Sequence, residues 1–133
     1  MRIGTDIIEI ERIKTAYERQ ERFAQKILTP AELAIFHGLT GKRQMNFLAG
    51  RFSAKEAYSK ALRTGIGKLK FTDISILASD QGVPYLAEAP LIEGVDLSIS
   101  HSRDNAIATV IINLGDNQID QILELFFQQK ADR

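Results

Sequence analysis

The sequence contains no cysteine and only two histidines. Without cysteine there is no disulfide framework, thiolate zinc site or cysteine nucleophile, and histidines as far apart as His37 and His101 make a poor zinc site. No apolar run approaches the roughly 20 residues of a membrane span, and the N-terminus lacks a signal-peptide core. These absences predict a soluble cytoplasmic protein with no membrane partner.

An excess of either charge is also lacking, because 17 basic residues balance 17 acidic ones. This balance argues against a general nucleic-acid-binding protein. The 133 residues suit one domain and are too few for two. An apolar content of 44% is ample for the core of such a domain.

Residues 47–67 predict one long helix with an apolar stripe that ends at a glycine-bearing stop. Phe52, Glu56 and Lys60 are spaced four apart and therefore share a face of this helix. A carboxylate and an ammonium beside an aromatic ring form either an ordinary helix-surface ion pair or part of a functional site. The helix alone does not separate these two interpretations.

The N-terminal residues 1–10 predict a short strand interrupted by Gly4 and Asp6. Glycine within a strand often marks a bulge or a close approach of another backbone. Asp6 lies among isoleucines and is expected to be partly sheltered. A sheltered carboxylate requires hydrogen bonds, a cation or a metal. The alternative is that Asp6 caps or turns the chain before the following helix.

The remaining pattern predicts an α+β fold, with helices including one long central helix packed on a small antiparallel sheet. Residues 9–25 form an amphipathic helix, and Thr29, Pro30 and Glu32 start another as a capping box. Strands are predicted at 71–78, 83–86, 96–101 and 106–113, the last two as a hairpin. A final amphipathic helix begins near Ile119 and packs on the domain or on a neighbouring subunit.

Four polar residues, Asp6, Glu56, Lys60 and His101, are the first candidates for chemistry. Further cations occur at Lys42, Arg43 and Arg51. No Ser-His-Asp arrangement is persuasive. Two carboxylates near lysine and arginine suit a hard divalent cation that holds a phosphorylated ligand, since Mg²⁺ takes one or two carboxylates together with phosphate oxygens and water.

Several stretches together resemble the bacterial holo-acyl-carrier-protein synthases, the small 4′-phosphopantetheinyl transferases. The matching segments are residues 4–7 with Glu9 and Arg12, residues 47–52, 54–57 and 60–61, residues 64–67, and residues 97–101. They follow the order and spacing of that family over residues 1 to about 113. The combination is specific, although no single segment would be.

The resemblance implies Mg²⁺-dependent transfer of the phosphopantetheine arm of coenzyme A to a serine of apo acyl carrier protein, a step of fatty acid biosynthesis. The other product is adenosine 3′,5′-bisphosphate. In the family, residues at the positions of Asp6 and Glu56 bind the metal, and Lys60 adds positive charge at the pyrophosphate. Either a metal-bound water or Glu56 relays the serine proton. The remaining coenzyme A contacts implied are Lys42, Arg43, Arg51 and His101 at the phosphates, with Gly82 and Pro84 beside the adenine.

The resemblance also implies a homotrimer with an active site at each subunit interface. Arg12, Arg19 and Arg22 would then meet the acidic carrier protein, with Phe23 as an apolar anchor. From charge pattern alone, this mixed-charge surface is equally a solvated helix face. The implied organisation is one transferase domain over residues 1–113, followed by an amphipathic helical tail over 114–133.

Two features depart from the family pattern. Arg63 occupies a usual glycine position, so the long helix is expected to end later, at Gly65. The tail exceeds the usual family length and takes no function from the resemblance. Two other functions remain open: a non-catalytic coenzyme A-binding trimer with the same fold, and a transferase that serves a wider range of carrier domains.

Overall fold

The structure, a computed structural model, describes residues 1–132. Its five helices and five strands are β1 (Arg2–Glu9), α1 (Ile10–Arg19), α2 (Arg22–Ile27), α3 (Pro30–His37), α4 (Gly41–Leu62), β2 (Ser75–Ala78), β3 (Pro84–Glu88), β4 (Val95–His101), β5 (Asn105–Ile112) and α5 (Asp116–Ala131). The predicted α+β class is confirmed. Among residues 1–132, no helix is both long and apolar enough to cross a bilayer.

The strands form two antiparallel sheets, ordered β1-β5-β4 and β2-β3. Strand β5 is central in the larger sheet and pairs with the whole of β1, so that Arg2 faces Ile112 at one end and Glu9 faces Asn105 at the other. It also pairs with β4, which confirms the predicted hairpin. Helix α4 lies across this sheet and contacts all three strands. The long helix is therefore the main support of the sheet.

Gly4 lies where β1 crosses α4. A Cβ atom at this position would lie 2.0 Å from the carbonyl oxygen of Ala57 and 2.7 Å from the amide nitrogen of Ala61. Real Cβ contacts are never this short, so only glycine allows the two backbones to approach so closely. Of the two alternatives predicted for Gly4, a close approach of another backbone is confirmed, and it holds Asp6 beside the same helix. The predicted interruption of the strand at Gly4 and Asp6 is wrong, because β1 pairs with β5 continuously through both residues.

Two apolar clusters flank α4. One contains Tyr58, whose hydroxyl donates to the carbonyl of Leu91 and accepts from its amide. The other contains Phe36 and Leu48, both fully buried. Because both clusters draw on α4, the helix is buried along most of its length.

The predicted capping box of α3 is confirmed, and Glu32 has a second role that the sequence did not reveal. Its Oε1 accepts from the Thr29 amide at 2.8 Å and from Lys55 Nζ at 2.6 Å. Its Oε2 accepts from the Ile76 amide at 2.9 Å. Both Glu32 and Lys55 are fully buried. One carboxylate thus joins α3, α4 and β2.

The single helix predicted for residues 9–25 is wrong in extent. Helix α1 ends at Arg19, and Gln20 is extended with φ −154° and ψ 106° before α2 begins. The turn allows α2 to pack against both α1 and the 3₁₀ turn at residues 71–73. A single straight helix of that length would extend for about 25 Å and could not place its second half against both α1 and this turn.

The end of α4 also differs from the expectation. The helix stops at Leu62, and Arg63 adopts the left-handed conformation with φ 65°. The amides of Thr64 and Gly65 then donate to the carbonyl of Ser59. The expected end at Gly65 is therefore wrong, because Arg63 itself takes the capping conformation that glycine usually supplies. The start was also predicted too late, since α4 begins at Gly41.

The strand predicted at residues 71–78 begins only at Ser75, because residues 71–73 form the 3₁₀ turn. Ile74 and Ile76 are buried as the alternation predicted, whereas Ala78 is exposed at the strand end. The return strand is confirmed as β3, which pairs with β2 across the turn at Gly82.

The final helix packs on the domain, as one of its two predicted alternatives states. Ile119 and Leu123 are buried in the cluster that contains Tyr58. At the start of α5, Asp116 and Asp120 accept from the buried Arg2 guanidinium at 2.8 and 3.1 Å. Arg2 also donates to the carbonyl of Leu62 at 3.1 Å. The arginine therefore joins β1, α5 and the end of α4.

Candidate active site

The structure brings Asp6, Glu56 and Lys60 together where β1 passes over α4. Lys60 Nζ lies 3.2 Å from Asp6 Oδ1 and donates to the carbonyl of Thr5 at 3.1 Å. Asp6 is mostly sheltered, with 14% of its side chain exposed, whereas the Lys60 side chain is half exposed. Among the described residues, the ion-pair partner of Lys60 is Asp6 rather than Glu56. The ordinary helix-surface pair is therefore not formed.

The two carboxylates oppose each other electrostatically. Burial, and secondarily the negative charge of Asp6, raises the pKa of Glu56, while Lys60 acts in the opposite direction. Partial burial and a neighbouring carboxylate both disfavour the ionised form, so a cation beside the pair would be stabilising. Among the described residues, Lys60 supplies positive charge there.

Asp6 also has a carboxylate oxygen that accepts no hydrogen bond. Its Oδ2 is buried and has no hydrogen-bond partner in the described structure. A buried, unpartnered carboxylate oxygen beside a second carboxylate fits a hard divalent cation. Within residues 1–132 no cluster of three or more acidic, histidine or cysteine side chains could hold a metal. The pair therefore fits an ion such as Mg²⁺, which takes its other ligands from water and substrate.

Ser53 is a site-supporting residue that sequence reasoning missed. Its hydroxyl donates to the carbonyl of Asp6 at 3.0 Å and so fixes β1 to α4 at the residue that carries the carboxylate. Ser53 precedes Glu56 by three residues and so lies on the same side of the helix. That spacing is the signal that could have identified it.

His101 ends β4 and lies against α4. Its Nε2 is 2.8 Å from the carbonyl oxygen of Asn46, and its imidazole is exposed. His101 lies outside the ion-paired cluster of Asp6 and Lys60, and it reaches the N-terminal half of α4. The two ends of this helix therefore carry different candidate groups.

Lys42 and Arg43 are exposed in the first turn of α4. Lys42 borders a cavity of about 960 Å³ between α1, the start of α4 and the β4–β5 turn. Asp6, Glu56 and Lys60 do not line this cavity. The structure thus places cations in two regions of α4 rather than in one cluster.

Arg51 is buried, with only 8% of its surface exposed. Its Nε donates to the carbonyl of Ile76 at 3.0 Å, and its guanidinium carbon lies 4.3 Å from the centre of the Phe47 ring. Burial lowers the pKa of Arg51. The residue links α4 to β2, a structural role that the sequence did not predict. Its two Nη groups have no hydrogen-bond partner among residues 1–132.

The other predicted residues lie on surfaces. Gly82 has φ 80° in the β2–β3 turn, and Pro84 begins β3. Arg12, Arg19 and Arg22 are exposed on α1 and α2.

Phe23 is half-buried. Its ring lies 6.4 Å from that of Phe52, which in turn stacks on Phe71 at 5.1 Å. The partly open ring directly follows the exposed Arg22 in α2.

Comparison with known proteins shows the family. The model of the 4′-phosphopantetheinyl transferase superfamily matches residues 2–111. A holo-[acyl-carrier-protein] synthase of Streptococcus agalactiae is 54% identical over 110 residues, which are 82% of this chain and 92% of that protein. The chain belongs to the holo-[acyl-carrier-protein] synthases. It is accordingly an enzyme of the phosphopantetheinyl transferase class.

Other synthases agree in sequence and in fold. That of Geobacillus kaustophilus is 55% identical over 111 residues, covering 83% of this chain and 86% of that protein. The crystal structure from Bacillus anthracis in complex with CoA (3′,5′-ADP) is 47% identical with a TM-score of 0.76, covering 82% of this chain and 92% of that one. The Helicobacter pylori synthase with coenzyme A is 34% identical with a TM-score of 0.73, covering 84% and 99%.

The superfamily match stops at residue 111, before α5 begins at Asp116. Helix α5 therefore lies outside the matched residues. It nevertheless packs against them, through its contacts with Arg2 and with the cluster that contains Tyr58.

Proposed function

We propose that this synthase transfers the 4′-phosphopantetheine group of coenzyme A to a serine of apo acyl carrier protein, with release of adenosine 3′,5′-bisphosphate. The single observation that carries the proposal is the sheltered Asp6–Glu56 carboxylate pair, with the unpartnered Asp6 Oδ2 and with Lys60 beside it. The similarity to named synthases supports this interpretation. Two of the similar crystal structures are complexes with CoA (3′,5′-ADP) or with coenzyme A, which supports it further.

The reaction is a phosphoryl transfer. The serine oxygen forms a bond to the phosphorus that bears the pantetheine arm, and the bond from that phosphorus to the leaving phosphate of adenosine 3′,5′-bisphosphate breaks. Negative charge develops on the leaving phosphate, where a neighbouring cation stabilises it. Lys60 is half exposed beside Asp6 and so can turn from the carboxylate toward such a phosphate.

Asp6 and Glu56 would hold Mg²⁺. When bound, the ion supplies positive charge that neutralises phosphate oxygens and aligns the displacement. The serine hydroxyl must lose its proton, and Glu56, or a water that it holds, is the proposed acceptor. The rigid backbone at this point, fixed by Gly4 and Ser53, keeps the Asp6 carboxylate at one position relative to Glu56.

The nucleotide part of coenzyme A is proposed to meet the other cations. Lys42, Arg43 and His101 are exposed, and the free Nη groups of Arg51 would add a further contact to its phosphates. Gly82 and Pro84 would border the adenine. In one chain Lys42, Arg43 and Arg51 lie on α4, whereas the remaining groups lie at the end of β4 and at the β2–β3 turn. This spread fits sites completed by a second subunit.

A homotrimer is therefore part of the proposal. The sheet face that points away from α4 exposes Ile3 and Ile7, with 67% and 61% of their surfaces accessible. They pair across strands with Ile111 and Ile107, which are also exposed. A cluster of exposed isoleucines on one sheet face is a typical subunit interface.

The acidic carrier protein would dock on α1 and α2 through Arg12, Arg19 and Arg22, with the half-open Phe23 as an apolar contact. We assign the transferase domain to residues 1–113 and treat 114–133 as its helical tail. A role in fatty acid biosynthesis and a cytoplasmic location complete the proposal.

Mass spectrometry of the carrier protein tests this function. After incubation with coenzyme A and Mg²⁺, apo acyl carrier protein should gain the mass of one phosphopantetheine group. No gain, under conditions in which a known synthase works, would refute the proposal. Coenzyme A binding without modification would instead indicate a non-catalytic trimer. A panel of carrier proteins would reveal a wider substrate range.

Substitution of the carboxylates is the sharper test of the site. Asp6→Ala and Glu56→Gln should each abolish transfer. Glu56→Gln should leave the metal-free protein at least as stable as the wild type, because burial and Asp6 both raise the pKa of Glu56 and so disfavour its ionised form. Full activity of either variant would remove that residue from the proposed metal site.

A further inference from the structure

The imidazole of His101 rests on a bare stretch of helix backbone at Gly50. Gly50 lies within α4 and is buried. A Cβ atom there would lie 2.9 Å from His101 Nε2, 3.3 Å from His101 Cε1 and 3.2 Å from Ile99 Cγ2. Two of these three contacts fall on one ring, so a side chain at position 50 would displace His101 or tilt it away from the helix.

The same ring is anchored by a hydrogen bond one helical turn earlier. His101 Nε2 lies 2.8 Å from the carbonyl oxygen of Asn46. A carbonyl oxygen only accepts, so Nε2 carries the hydrogen. In a helix that carbonyl also accepts from the amide of residue 50, so the anchor and the bare backbone belong to the same turn.

This arrangement determines which ring nitrogen is free. With Nε2 donating to Asn46, Nδ1 is the nitrogen left for a ligand. A neutral ring then offers an acceptor to a hydroxyl or amino group, and a protonated ring offers a donor to a phosphate. The orientation of Nδ1 therefore depends on the ring staying on the helix.

We propose that Gly50 is a positioning residue for coenzyme A. It acts through His101, by allowing the imidazole to lie against α4 and to present Nδ1 to the nucleotide part of the ligand. The inference rests on the proposed function and deepens it, because it assigns the orientation of one ligand contact to a residue that touches no ligand. Glycine destabilises a helix interior relative to alanine. The space that Gly50 leaves for the His101 ring is a reason for glycine at this position despite that local cost.

Binding of coenzyme A to the full chain tests the proposal. Gly50→Ala should raise the Kd for coenzyme A by roughly tenfold or more, the scale of one lost hydrogen bond to a charged group. The transfer rate at saturating coenzyme A and the KM for the carrier protein should change little. Gly67→Ala is the matched control, because a Cβ at Gly67 meets nothing within 4 Å. An unchanged Kd in Gly50→Ala would overturn the proposal.

A double-variant cycle separates action through His101 from a general effect on the helix. In a His101→Ala background, Gly50→Ala should have no further effect on the Kd, because the ring it displaces is gone. An equal loss in both backgrounds would show that Gly50 acts independently of His101 and would refute the proposal.

Nitrogen-15 spectroscopy of the imidazoles provides a readout that does not depend on activity. The chain has two histidines, so His37→Gln assigns both sets of signals. At alkaline pH, where imidazoles are neutral, His101 should carry its hydrogen on Nε2 in the wild type and lose this preference in Gly50→Ala. A wild-type ring with its hydrogen on Nδ1 would overturn the inference. Should Gly50→Ala not fold, this wild-type spectrum and the Kd of His101→Ala decide.

The two proposals fail in different ways. A wild-type protein that binds coenzyme A with the expected Gly50 effect, but does not modify any carrier protein, would refute the transferase and support the role of Gly50. A wild-type protein that modifies the carrier, with no Gly50 effect on the Kd, would do the reverse.

Discussion

Arg63 is the one non-glycine residue within residues 1–132 with positive φ. The left-handed conformation brings Cβ close to the following carbonyl and costs an L-residue about 1–2 kcal/mol. Nothing nearby offsets this strongly, because the Arg63–Asp116 contact spans 3.9 Å between two exposed side chains. Exposed ion pairs of this kind contribute little. Arg63 therefore caps α4 at a local cost.

Replacement of Arg63 by glycine should stabilise the protein. We expect Arg63→Gly to raise the free energy of unfolding by about 1 kcal/mol, since glycine adopts positive φ without the Cβ clash. Urea denaturation measures the change. Arg63→Asn, which also tolerates this conformation, should give part of the gain, and Arg63→Val should be destabilising. Equal stability of the three variants would show that the backbone is not strained.

The role of a single residue could be predicted from the sequence when it followed from neighbouring residues, but not when it depended on a partner far along the chain. The close approach at Gly4 was one of two predicted alternatives, because a glycine within a strand often marks either a bulge or the close approach of another backbone. The burial of Arg51 and Lys55 was not predicted, because the helical period places them on a face but does not reveal which partner lies opposite. The site roles of Asp6, Glu56 and Lys60 came from the family pattern, and the structure shows an ion pair between Asp6 and Lys60.

At the scale of elements, a buried ion pair joins α4 to its surroundings. Lys55 Nζ donates to Glu32 and to the carbonyl of Ile27, both at 2.6 Å, and both charged side chains are wholly buried. Burial lowers the pKa of Lys55, and Glu32 opposes that shift. Since Lys55 is next to Glu56 in the helix, this pair also fixes the rotation of α4 near the candidate site.

Removal of either charge from this pair should be strongly destabilising. We expect Glu32→Gln and Lys55→Met each to lower the free energy of unfolding by about 3–5 kcal/mol, because each leaves one buried charge uncompensated. The double variant should lose less than the sum of the two. Denaturant unfolding of all four proteins gives the coupling energy, and strict additivity would contradict the proposed interaction.

The contact of α5 with Arg2 should depend on pH. The hydrogen bond from Arg2 lowers the pKa of Asp116 in the folded protein, so ionised Asp116 stabilises the folded state. This stabilisation is complete above the ordinary aspartate pKa of about 3.9 and is lost as pH falls through the lowered pKa. Asp116→Asn should therefore lower the Tm at neutral pH, with a difference that disappears in strong acid.

Glu124→Gln is the matched control for α5. Glu124 is exposed on the same helix and forms no ion pair among the described residues. Its substitution should leave the Tm unchanged at every pH. An Asp116→Asn difference that stays constant down to strongly acidic pH would show that the ionised carboxylate is not the source of the stabilisation.

Elements with local signals were predicted well. Thr29, Pro30 and Glu32 start α3 where the capping pattern places it, because the cap uses neighbouring atoms only. The break between α1 and α2 was missed, since Gln20 carries no turn signal, whereas α2 beyond the break packs against residues 71–73. Tertiary contacts here override the helical pattern.

For the whole molecule, the exposed isoleucines of the large sheet should decide assembly. We expect Ile7→Lys to convert a trimer into monomers and to reduce transfer, because a charged side chain would be buried in the proposed interface. Sedimentation velocity measures the mass. Ile35→Lys, on the exposed side of α3, is the matched control and should leave the mass unchanged. A wild-type monomer with full activity would refute the proposed interface.

The position of β5 at the centre of the large sheet has a consequence for biosynthesis. Strand β1 is made first, yet its partner residues run from 105 to 112. While the ribosome is still making the intervening helices, β1 has no strand to pair with, and such late, long-range pairing is slow and exposed to aggregation. Strand β1 contacts α4 directly through Gly4 and Ser53, but the sheet that β1 belongs to cannot be completed before residue 112 has been made. We therefore expect the candidate site to gain the support of the full sheet only late in synthesis.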